Sequence, residues 1–306
     1  MSTGSPGTVG FLGLGAMGGP MVRMLLSKGW SVLIAPRDVH RAQDLVDAGA
    51  RLVGDPAAMA PLTDLVVACL PDTASVRDVL FGTTGLLAAG RWEGVFVDCS
   101  TLAPQASRDL EVELAALGTS SLDAPVSGGP RGAETGTLSI MVGGDAAVLE
   151  RARAALEAMG SRVIHCGGSG SGQVTKACNQ LIVMSTVTAV AEALRLAEHA
   201  GVDPWIVRDV LLGGYAKSPI LELHGPRIID DAYAPGGRAW FHAKDIATIE
   251  ELSGRAGLEL PLFEAVRGQF ERLFAVPGGP DMDHSAVATL YPRAATRPAA
   301  RPGAGD

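Results

Sequence analysis

The sequence predicts an N-terminal α/β domain followed by an all-α C-terminal domain, and two observations support this prediction. In the first half of the 306-residue chain, short apolar runs typical of buried strands alternate with helical periodicity. Such alternation predicts a largely parallel sheet that is covered by helices on both faces. From Gly170 onward the strand pattern ends, and one helical segment follows another. We therefore predict domains at 1–167 and 168–293, and a disordered tail at 294–306, which is rich in Ala, Pro, Gly and Arg.

The order of the elements follows from these two periodicities. Seven apolar runs are predicted to be strands, at 8–14, 30–35, 64–70, 95–100, 121–127, 138–144 and 161–167. Helices are predicted at 16–28, 38–48, 104–117 and 145–159, and then at 171–200, 203–213, 218–231, 239–256 and 260–274. The apolar stretch 181–194 is interrupted by Ser185, Thr186, Thr188 and Glu192, so we expect no membrane span.

The composition is that of a globular protein, with 47% hydrophobic and 19% charged residues. The net charge is −8 and no basic cluster stands out, which argues against nucleic acid or an anionic membrane as a partner. Four cysteines without a CxxC pair predict reduced thiols in a cytoplasmic protein. Six histidines lack ligand spacing, so we expect no metal site.

A glycine-rich turn, GLGAMG at 13–18, joins the first predicted strand to the first predicted helix. Its glycines form the GxGxxG pattern in the strand–turn–helix context of a Rossmann-type dinucleotide-binding domain, although a turn needed only for packing is the alternative. Gly13 permits the tight turn, Gly15 lets the pyrophosphate approach the backbone, and Gly18 lets helix and strand pack closely. The helix N-terminus offers amide donors to phosphates. We therefore predict that the whole turn binds the cofactor: Gly13, Leu14, Gly15, Ala16, Met17 and Gly18.

The end of the second predicted strand, IAPRDVHR at 34–41, bears on the choice between NADP and NAD. An arginine there binds the 2′-phosphate of NADP, whereas an acidic residue at the strand tip binds the ribose hydroxyls of NAD. Pro36 occupies the tip and Arg37 and Arg41 follow it, which favours NADP. Asp38 is compatible with NAD, so NAD remains the alternative, and Arg37 alone would also fit a solvated surface charge.

A lysine and an asparagine interrupt the apolar start of the helix predicted at 171–200. Lys176 and Asn179 are three residues apart and therefore share one face of the helix. An amine in apolar surroundings has a lowered pKa and is able to exchange a proton near neutral pH. The amide of Asn179 is suited to orient a hydroxyl or carbonyl group of a substrate. The pair is a candidate catalytic site, although a snorkelling lysine beside a capping amide would give the same pattern.

Six motifs then follow one another in an order that resembles a known family. They are GLGAMGGPM (13–21), CLPDTASV (69–76), VDCSTLAP (97–104), DAPVSGGPRGAETGTLSIMVGG (123–144), GSGQVTKACNQ (170–180) and HAKDI (242–246). As a set they resemble the β-hydroxyacid dehydrogenases, the family of 3-hydroxyisobutyrate dehydrogenase, tartronate semialdehyde reductase and glyoxylate/succinic semialdehyde reductase. The resemblance covers nearly the whole chain. It implies an NAD(P)-dependent oxidoreductase that interconverts a short-chain β-hydroxy acid and its semialdehyde.

The resemblance also implies a role for each residue at a matching position. Lys176 would be the general acid/base, Asn179 would hold the substrate beside it, and Asp245 would lie near the substrate. The substrate carboxylate would bind in a small anion-binding concavity formed by Ser127, Gly128 and Gly129. Further cofactor contacts would come from Leu70, Pro71, Ser75, Thr101 and Lys244.

The chain departs from the family pattern at two places. Many members carry a phenylalanine eight residues before the aspartate of the KD pair, whereas this chain has Gly237 there. Trp240 or Phe241 are the candidates to fill that space, and the identity of the substrate stays open. Pro36, Arg37 and Asp38 also stand where NADP-preferring members tend to have Asn-Arg-Thr.

Three alternative functions are compatible with parts of the pattern. A 6-phosphogluconate dehydrogenase would have a histidine where this chain has Cys178, and an imine reductase usually lacks the lysine. A non-catalytic NADP-binding scaffold protein would also be expected to lose the lysine. A small carboxylate or semialdehyde substrate is therefore the expected partner. The apolar faces of the second half, such as LIVMSTVTAVAEAL at 181–194, further predict a homodimer or homotetramer.

Overall fold

The computed structural model describes residues 6–38 and 42–295. It confirms the predicted fold class, since a sheet flanked by helices makes up the first half of the described chain and helices make up the second. The chain forms two compact units, one ending at Lys176 and the other starting at Ala177. Arg41 and nearly all of the predicted tail at 294–306 lie outside the described residues.

The first unit alternates strands and helices. In chain order its elements are β1 (Thr8–Leu12), α1 (Gly18–Ser27), β2 (Ser31–Ile34), α2 (Gln43–Asp47), β3 (Arg51–Leu52), β4 (Leu65–Ala68), α3 (Thr73–Phe81), β5 (Val95–Asp98), α4 (Pro104–Ala116), β6 (Ser120–Asp123), β7 (Val126–Ser127), α5 (Gly129–Thr135), β8 (Leu138–Gly143), α6 (Ala146–Met159) and β9 (Gly160–Gly167). A short 3-10 helix lies at Pro56–Met59. No apolar pattern marks β3, whose two residues are exposed.

Among the described residues, nine strands form one sheet in the order β3-β2-β1-β4-β5-β6-β8-β7, with β9 paired to β8. Strands β1 to β6 run parallel to one another, whereas β8 runs antiparallel to β6 and β7. The prediction of one strand at 121–127 is wrong, because the chain bends at Ala124 and Pro125 between β6 and β7. Pro125 has no N–H to donate to the ladder, although its carbonyl accepts from the Met141 N–H at 3.0 Å.

The core of the first unit lies on both faces of this sheet, because successive side chains of a strand point to opposite faces. In β4, Leu65 and Val67 pack on one face, and Val66 and Ala68 pack on the other. The other central strands alternate in the same way, which explains why they appear in the sequence as continuous apolar runs. All four cysteines are free, as predicted, with Cys99 in this core.

The described residues of the second unit form helices joined by loops. Helix α7 (Ser171–His199) begins in the first unit and continues into the second, and α8 (Pro204–Leu211), α9 (Pro219–Asp230), α10 (Phe241–Ala256) and α11 (Pro261–Ala275) follow. Two 3-10 helices, Gly279–Asp281 and His284–Leu290, complete the unit. Its core combines residues of α7, α9, α10 and α11 with the last 3-10 helix.

Helix α7 is long and apolar enough to cross a membrane by length and composition alone. Within the second unit, however, Met184, Val187 and Leu194 of this helix pack in the core. Arg195 and Glu198 form a buried ion pair at 3.3 Å on the same helix. These contacts are those of a core helix, so we keep the interpretation that α7 does not span a membrane.

Candidate active site

The glycine-rich turn between β1 and α1 has the geometry of a phosphate-binding loop. Gly13 has a φ of 93°, which favours glycine, and a Cβ there would overlap the Cys69 carbonyl. A Cβ on Gly18 would overlap the Gly13 carbonyl, so the absence of a side chain lets helix and strand pack closely. A Cβ on Gly15, in contrast, would meet no protein atom within 4 Å. The turn therefore leaves space at Gly15 for a ligand to approach the backbone, and the residues present fit a dinucleotide cofactor.

The carboxyl ends of the parallel strands bring several predicted cofactor residues to the same edge of the sheet. Strands β1, β4, β5 and β6 are in register at their last residues. The turn at 13–18 follows β1, Leu70 and Pro71 follow β4, and Thr101 follows β5. The Leu70 N–H donates to Ser100 Oγ at 2.8 Å, which ties two of these loops together. Open α/β sheets bind their ligands at this edge.

Ser75 and Arg37 follow β4 and β2 at the same edge of the sheet. The Ser75 N–H donates to the Asp72 carboxylate at 2.7 Å, which caps α3. The Arg37 guanidinium donates to Asp78 at 2.9 Å, with side-chain exposures of 75% and 61%. An ion pair this exposed is weak, so Arg37 is able to exchange Asp78 for a phosphate group.

The predicted carboxylate-binding residues lie together where β7 passes into α5. Ser127 ends the strand, and Gly128 and Gly129 have φ values of 133° and 62°. Both conformations favour glycine, and a Cβ on Gly129 would point into open space. Consecutive backbone N–H groups in such a turn form a concavity that suits an anion.

A buried clamp fixes the start of α7 to the sheet. The Asp123 carboxylate at the end of β6 accepts from the Gly170 N–H at 2.7 Å and from the Gln173 N–H at 3.0 Å. The Gln173 side chain in turn accepts from the Leu102 N–H at 3.1 Å and donates to the Ser100 carbonyl at 2.9 Å. Burial raises the pKa of Asp123, although the backbone N–H groups around it favour its charged form.

This clamp positions the candidate acid/base residue. The Gln173 side chain forms hydrogen bonds with the backbone of Ser100 and Leu102, the two neighbours of Thr101. It lies one helical turn before Lys176. Lys176 is only 9% exposed, so this residue is largely shielded from water on a helix start that the clamp holds in place. Neither Asp123 nor Gln173 was assigned a role from the sequence, although both lie inside the motifs at 123–144 and 170–180.

In the second unit, Asn179 begins a line of polar side chains. Its amide nitrogen donates to Gln180 Oε1 at 2.9 Å, and Gln180 Nε2 donates to Asp245 Oδ2 at 2.6 Å. Asp245 lies on α10, is 4% exposed and also contacts His242. The structure therefore brings two predicted site residues together through Gln180, which lies in the motif at 170–180 but was assigned no role from the sequence.

Gly237, which stands where many family members have a phenylalanine, lies in the segment before α10. A Cβ on Gly237 would meet no atom within 4 Å, so the space beside it is open. The rings of Trp240 and Phe241 contact each other at a tilt of 31°, with 4.3 Å between centroids, and each residue is 42% exposed. Lys244 lies half-buried on the first turns of α10.

One cluster of the described residues has the side-chain types of a metal site: His224, Asp283 and His284. Its carboxylate is already saturated, because Asp283 accepts from the backbone N–H groups of Gly236, Gly237 and Ser285 and from Ser285 Oγ. A guanidinium of Arg227 also lies 3.1 Å from Asp283. We therefore interpret the cluster as a hydrogen-bonded one, and the absence of a metal site stays a prediction.

Comparisons with known proteins agree in both halves of the chain. Residues 8–168 match the family model described as the NAD binding domain of 6-phosphogluconate dehydrogenase, and residues 170–291 match that described as NAD-binding of NADP-dependent 3-hydroxyisobutyrate dehydrogenase. The chain is 39% identical to 2-hydroxy-3-oxopropionate reductase of Escherichia coli K12, over 91% of this chain and 95% of that protein. It is 33% identical to 3-hydroxyisobutyrate dehydrogenase of Pseudomonas aeruginosa, over 92% and 98% of the two chains. The crystal structure of a Salmonella typhimurium 3-hydroxyisobutyrate dehydrogenase matches with a TM-score of 0.84 at 28% identity, over 93% and 99% of the two chains.

Proposed function

Since the chain belongs to the β-hydroxyacid dehydrogenase family, we propose that it reduces a short-chain semialdehyde bearing a carboxylate, with NADPH preferred and Lys176 as acid/base. The chain is an NAD(P)-dependent oxidoreductase that interconverts a short-chain β-hydroxy acid and its semialdehyde. The observation that carries the role of Lys176 is its burial at a helix start that Asp123 and Gln173 clamp to the sheet edge.

The roles of the chain's own residues follow from their chemistry. The bound nicotinamide cofactor supplies or accepts the hydride. In reduction, Lys176 Nζ donates a proton to the oxygen of the former aldehyde, and in oxidation it removes the hydroxyl proton. The N–H groups of Gly128 and Gly129 bind the substrate carboxylate without adding charge, so Lys176 stays available for the reacting oxygen. Asn179 orients that oxygen beside the amine.

Turnover with a substrate panel tests this proposal. Oxidation of NADPH and NADH would be followed with tartronate semialdehyde, succinic semialdehyde, methylmalonate semialdehyde and glyoxylate. We expect turnover of at least one of these carboxylates and none of a matched aldehyde that lacks the carboxylate. Reduction of a cyclic imine in place of every aldehyde would support the imine reductase alternative. Cofactor binding without any turnover would support the scaffold alternative.

Arg37 is expected to set the preference for NADPH. Arg37→Ala removes the guanidinium that would bind the 2′-phosphate, and a charge-assisted hydrogen bond contributes about 1.5–3 kcal/mol. The ratio of kcat/KM for NADPH to that for NADH should therefore fall about 10- to 100-fold. Arg77→Ala is the matched control, because Arg77 also lies in an exposed ion pair, with Glu113 at 2.8 Å. An unchanged ratio in Arg37→Ala would remove Arg37 from the cofactor site.

We further propose a cytoplasmic homodimer or homotetramer that binds neither nucleic acid nor membranes. The net charge of −8 supports the exclusion of anionic partners. Support for assembly comes from large apolar side chains of the second unit that are at least half exposed, namely Ile182, Leu196, Ile206, Val210, Tyr215, Leu258 and Leu262.

Light scattering at micromolar concentration should give a mass of two or four chains. Val210→Glu places a charge on this apolar surface and should shift the mass toward one chain. Val112→Glu, at a similarly exposed valine of α4, is the matched control and should leave the mass unchanged. A wild-type protein with the mass of one chain would contradict the assembly.

A further inference from the structure

A line of imidazoles in the second unit joins the Asp245 carboxylate to the Asp283 carboxylate. His242 Nε2 lies 2.9 Å from His284 Nδ1, and His284 Nε2 lies 3.1 Å from His224 Nε2. The outer rings contact the carboxylates, with His242 Nδ1 at 3.1 Å from Asp245 Oδ2 and His224 Nδ1 at 3.2 Å from Asp283 Oδ1. Four polar contacts thus connect three rings and two carboxylates. We call this set the histidine line.

The number of protons in the histidine line follows from these contacts. Each outer Nδ1 faces a carboxylate oxygen at ion-pair distance, where a bare lone pair would be repelled, so both carry a proton even though neither contact is aligned as a hydrogen bond. Each nitrogen–nitrogen contact also needs one proton, because two lone pairs would otherwise face each other. Four contacts require four protons, whereas three neutral imidazoles carry three. With Asp245 and Asp283 both ionised, one ring is therefore an imidazolium.

The surroundings place this extra proton on an outer ring. Burial, with the neighbouring His242 and His224, lowers the pKa of the central His284 to about 3, so that ring is neutral. Each outer ring instead contacts a carboxylate, which stabilises a positive charge. The Arg227 guanidinium also faces the line, 3.1 Å from Asp283 Oδ2. Phe270 packs edge-on against His242 at 5.1 Å between ring centroids and keeps that ring dry.

The far end of the line is rigidly held. Asp283 is fully buried, and its oxygens accept from Ser285 and from the backbone of Gly236 and Gly237. Burial would raise the pKa of Asp283, but the contacts with His224 and Ser285 outweigh burial and hold it well below its usual range. Asp283 is thus a fixed negative charge that anchors the line.

The near end of the line reaches the candidate substrate residues. Asp245 Oδ2 accepts from Gln180 Nε2 at 2.6 Å, and Gln180 Oε1 accepts from the Asn179 amide at 2.9 Å. The orientation of Asn179 therefore depends on Gln180, which depends on Asp245, which is held by His242. Within the described residues of this unit, the contacts run without a break from a structural anchor to a substrate residue.

We propose that His242 is a positioning residue that orients Asn179 through Asp245 and Gln180. The histidine line, which supports His242, stores one proton more than three neutral rings would carry. The kinetic part of this inference rests on the proposed function, which makes Asn179 a substrate-binding residue. The proton count does not rest on it.

Histidine-selective ¹⁵N NMR of the full-length protein at neutral pH tests the proton count. Among the six histidines we expect one ring of the line to show two protonated nitrogens, with assignments made by single substitutions. His242→Gln and His242→Asn each shorten the line to contacts that neutral rings can satisfy, so both should abolish that signature. Three neutral rings in the wild-type spectrum would overturn the imidazolium and with it the proton stored on the rings, whether or not the protein shows activity.

The same two variants separate positioning from a merely structural role. The amide nitrogen of asparagine can occupy the place of His242 Nδ1 and keep the donor to Asp245, whereas the amide of glutamine reaches the place of Nε2 and keeps the contact with His284. Each variant loses one of the two contacts, so their losses of stability should be similar. We expect KM for the semialdehyde to rise about tenfold or more in His242→Gln and to stay within about threefold of wild type in His242→Asn.

Equal KM values in two folded variants would overturn positioning by His242. His199→Asn, at an exposed histidine of α7 outside the line, is the control and should change neither KM nor the NMR signature. A wild-type protein that turns over no semialdehyde would instead overturn the proposed function, and the NMR result would still decide the proton count.

Discussion

Lys176→Met should lower kcat for semialdehyde reduction by about 10²- to 10⁴-fold, the range that a positioned general acid contributes. Methionine keeps the apolar stem and much of the volume of lysine but has no proton to exchange. The side chain is only 9% exposed, so bulk water has poor access to replace the amine. KM for NADPH should change little, because the amine acts on the reacting oxygen and not on the dinucleotide phosphates.

Three further measurements sharpen this result. The pH profile of kcat should lose the limb that depends on the lysine. Lys176→Ala leaves a cavity in place of the side chain, so added small primary amines should restore part of its turnover. Lys217→Met, at an exposed lysine of the second unit, should behave as wild type. Turnover of Lys176→Met within about threefold of wild type would end the assignment of Lys176 as general acid.

The fold was predictable because its signals are local. The strands β1, β4 and β5 are buried on both faces, so each is a continuous apolar run that a sequence reveals. The glycines at 13, 15 and 18 likewise follow from backbone geometry that few other residues satisfy. Where a local signal is weak, the prediction fails: β3 has two exposed residues, and the bend at Pro125 divides what appears to be one strand.

Residues of the candidate site could be predicted from the sequence only where the residue type itself is unusual for its surroundings. Lys176 and Asn179 stand out because polar groups are unusual in an apolar helix start. The groups that hold them depend on contacts between residues far apart in the chain, such as Asp123 with Gln173 and His242 with His284. No spacing within a sequence encodes these contacts, so Asp123, Gln173 and the histidine line emerged only from the structure.

Asp123→Ala should have the largest effect of any substitution outside the candidate reacting groups. It leaves the buried N–H groups of Gly170 and Gln173 without their acceptor, and each unsatisfied group costs about 1–3 kcal/mol. The free energy of unfolding of the first unit should therefore fall by roughly 2–6 kcal/mol, and thermal unfolding of that unit should begin at a lower temperature. Because the start of α7 carries Lys176, its release should also lower kcat by on the order of 10- to 100-fold.

Asp145→Ala is the matched control for this effect. Asp145 caps α6 in the same way, since its carboxylate accepts from the Ala147 and Val148 N–H groups at 2.7 and 3.2 Å, but it is exposed. Loss of an exposed cap costs about 0.5–2 kcal/mol and should leave kcat unchanged. If Asp123→Ala and Asp145→Ala lost equal stability and both kept wild-type kcat, the clamp would have no part in positioning Lys176.

Asp123→Asn then separates the hydrogen bonds of the clamp from its charge. Burial raises the pKa of Asp123 above its unfolded value, so the folded state binds the proton more tightly than the unfolded chain does. The contribution of this group to stability is therefore largest below the unfolded pKa and falls as the pH rises through the folded pKa. The neutral asparagine keeps one acceptor oxygen and lacks this penalty, so it should lose less stability at pH 7 than Asp123→Ala. It should also retain more of kcat, because one hydrogen bond still holds the first turn of α7. A kcat as low as that of Asp123→Ala would mean that one hydrogen bond does not suffice to position Lys176.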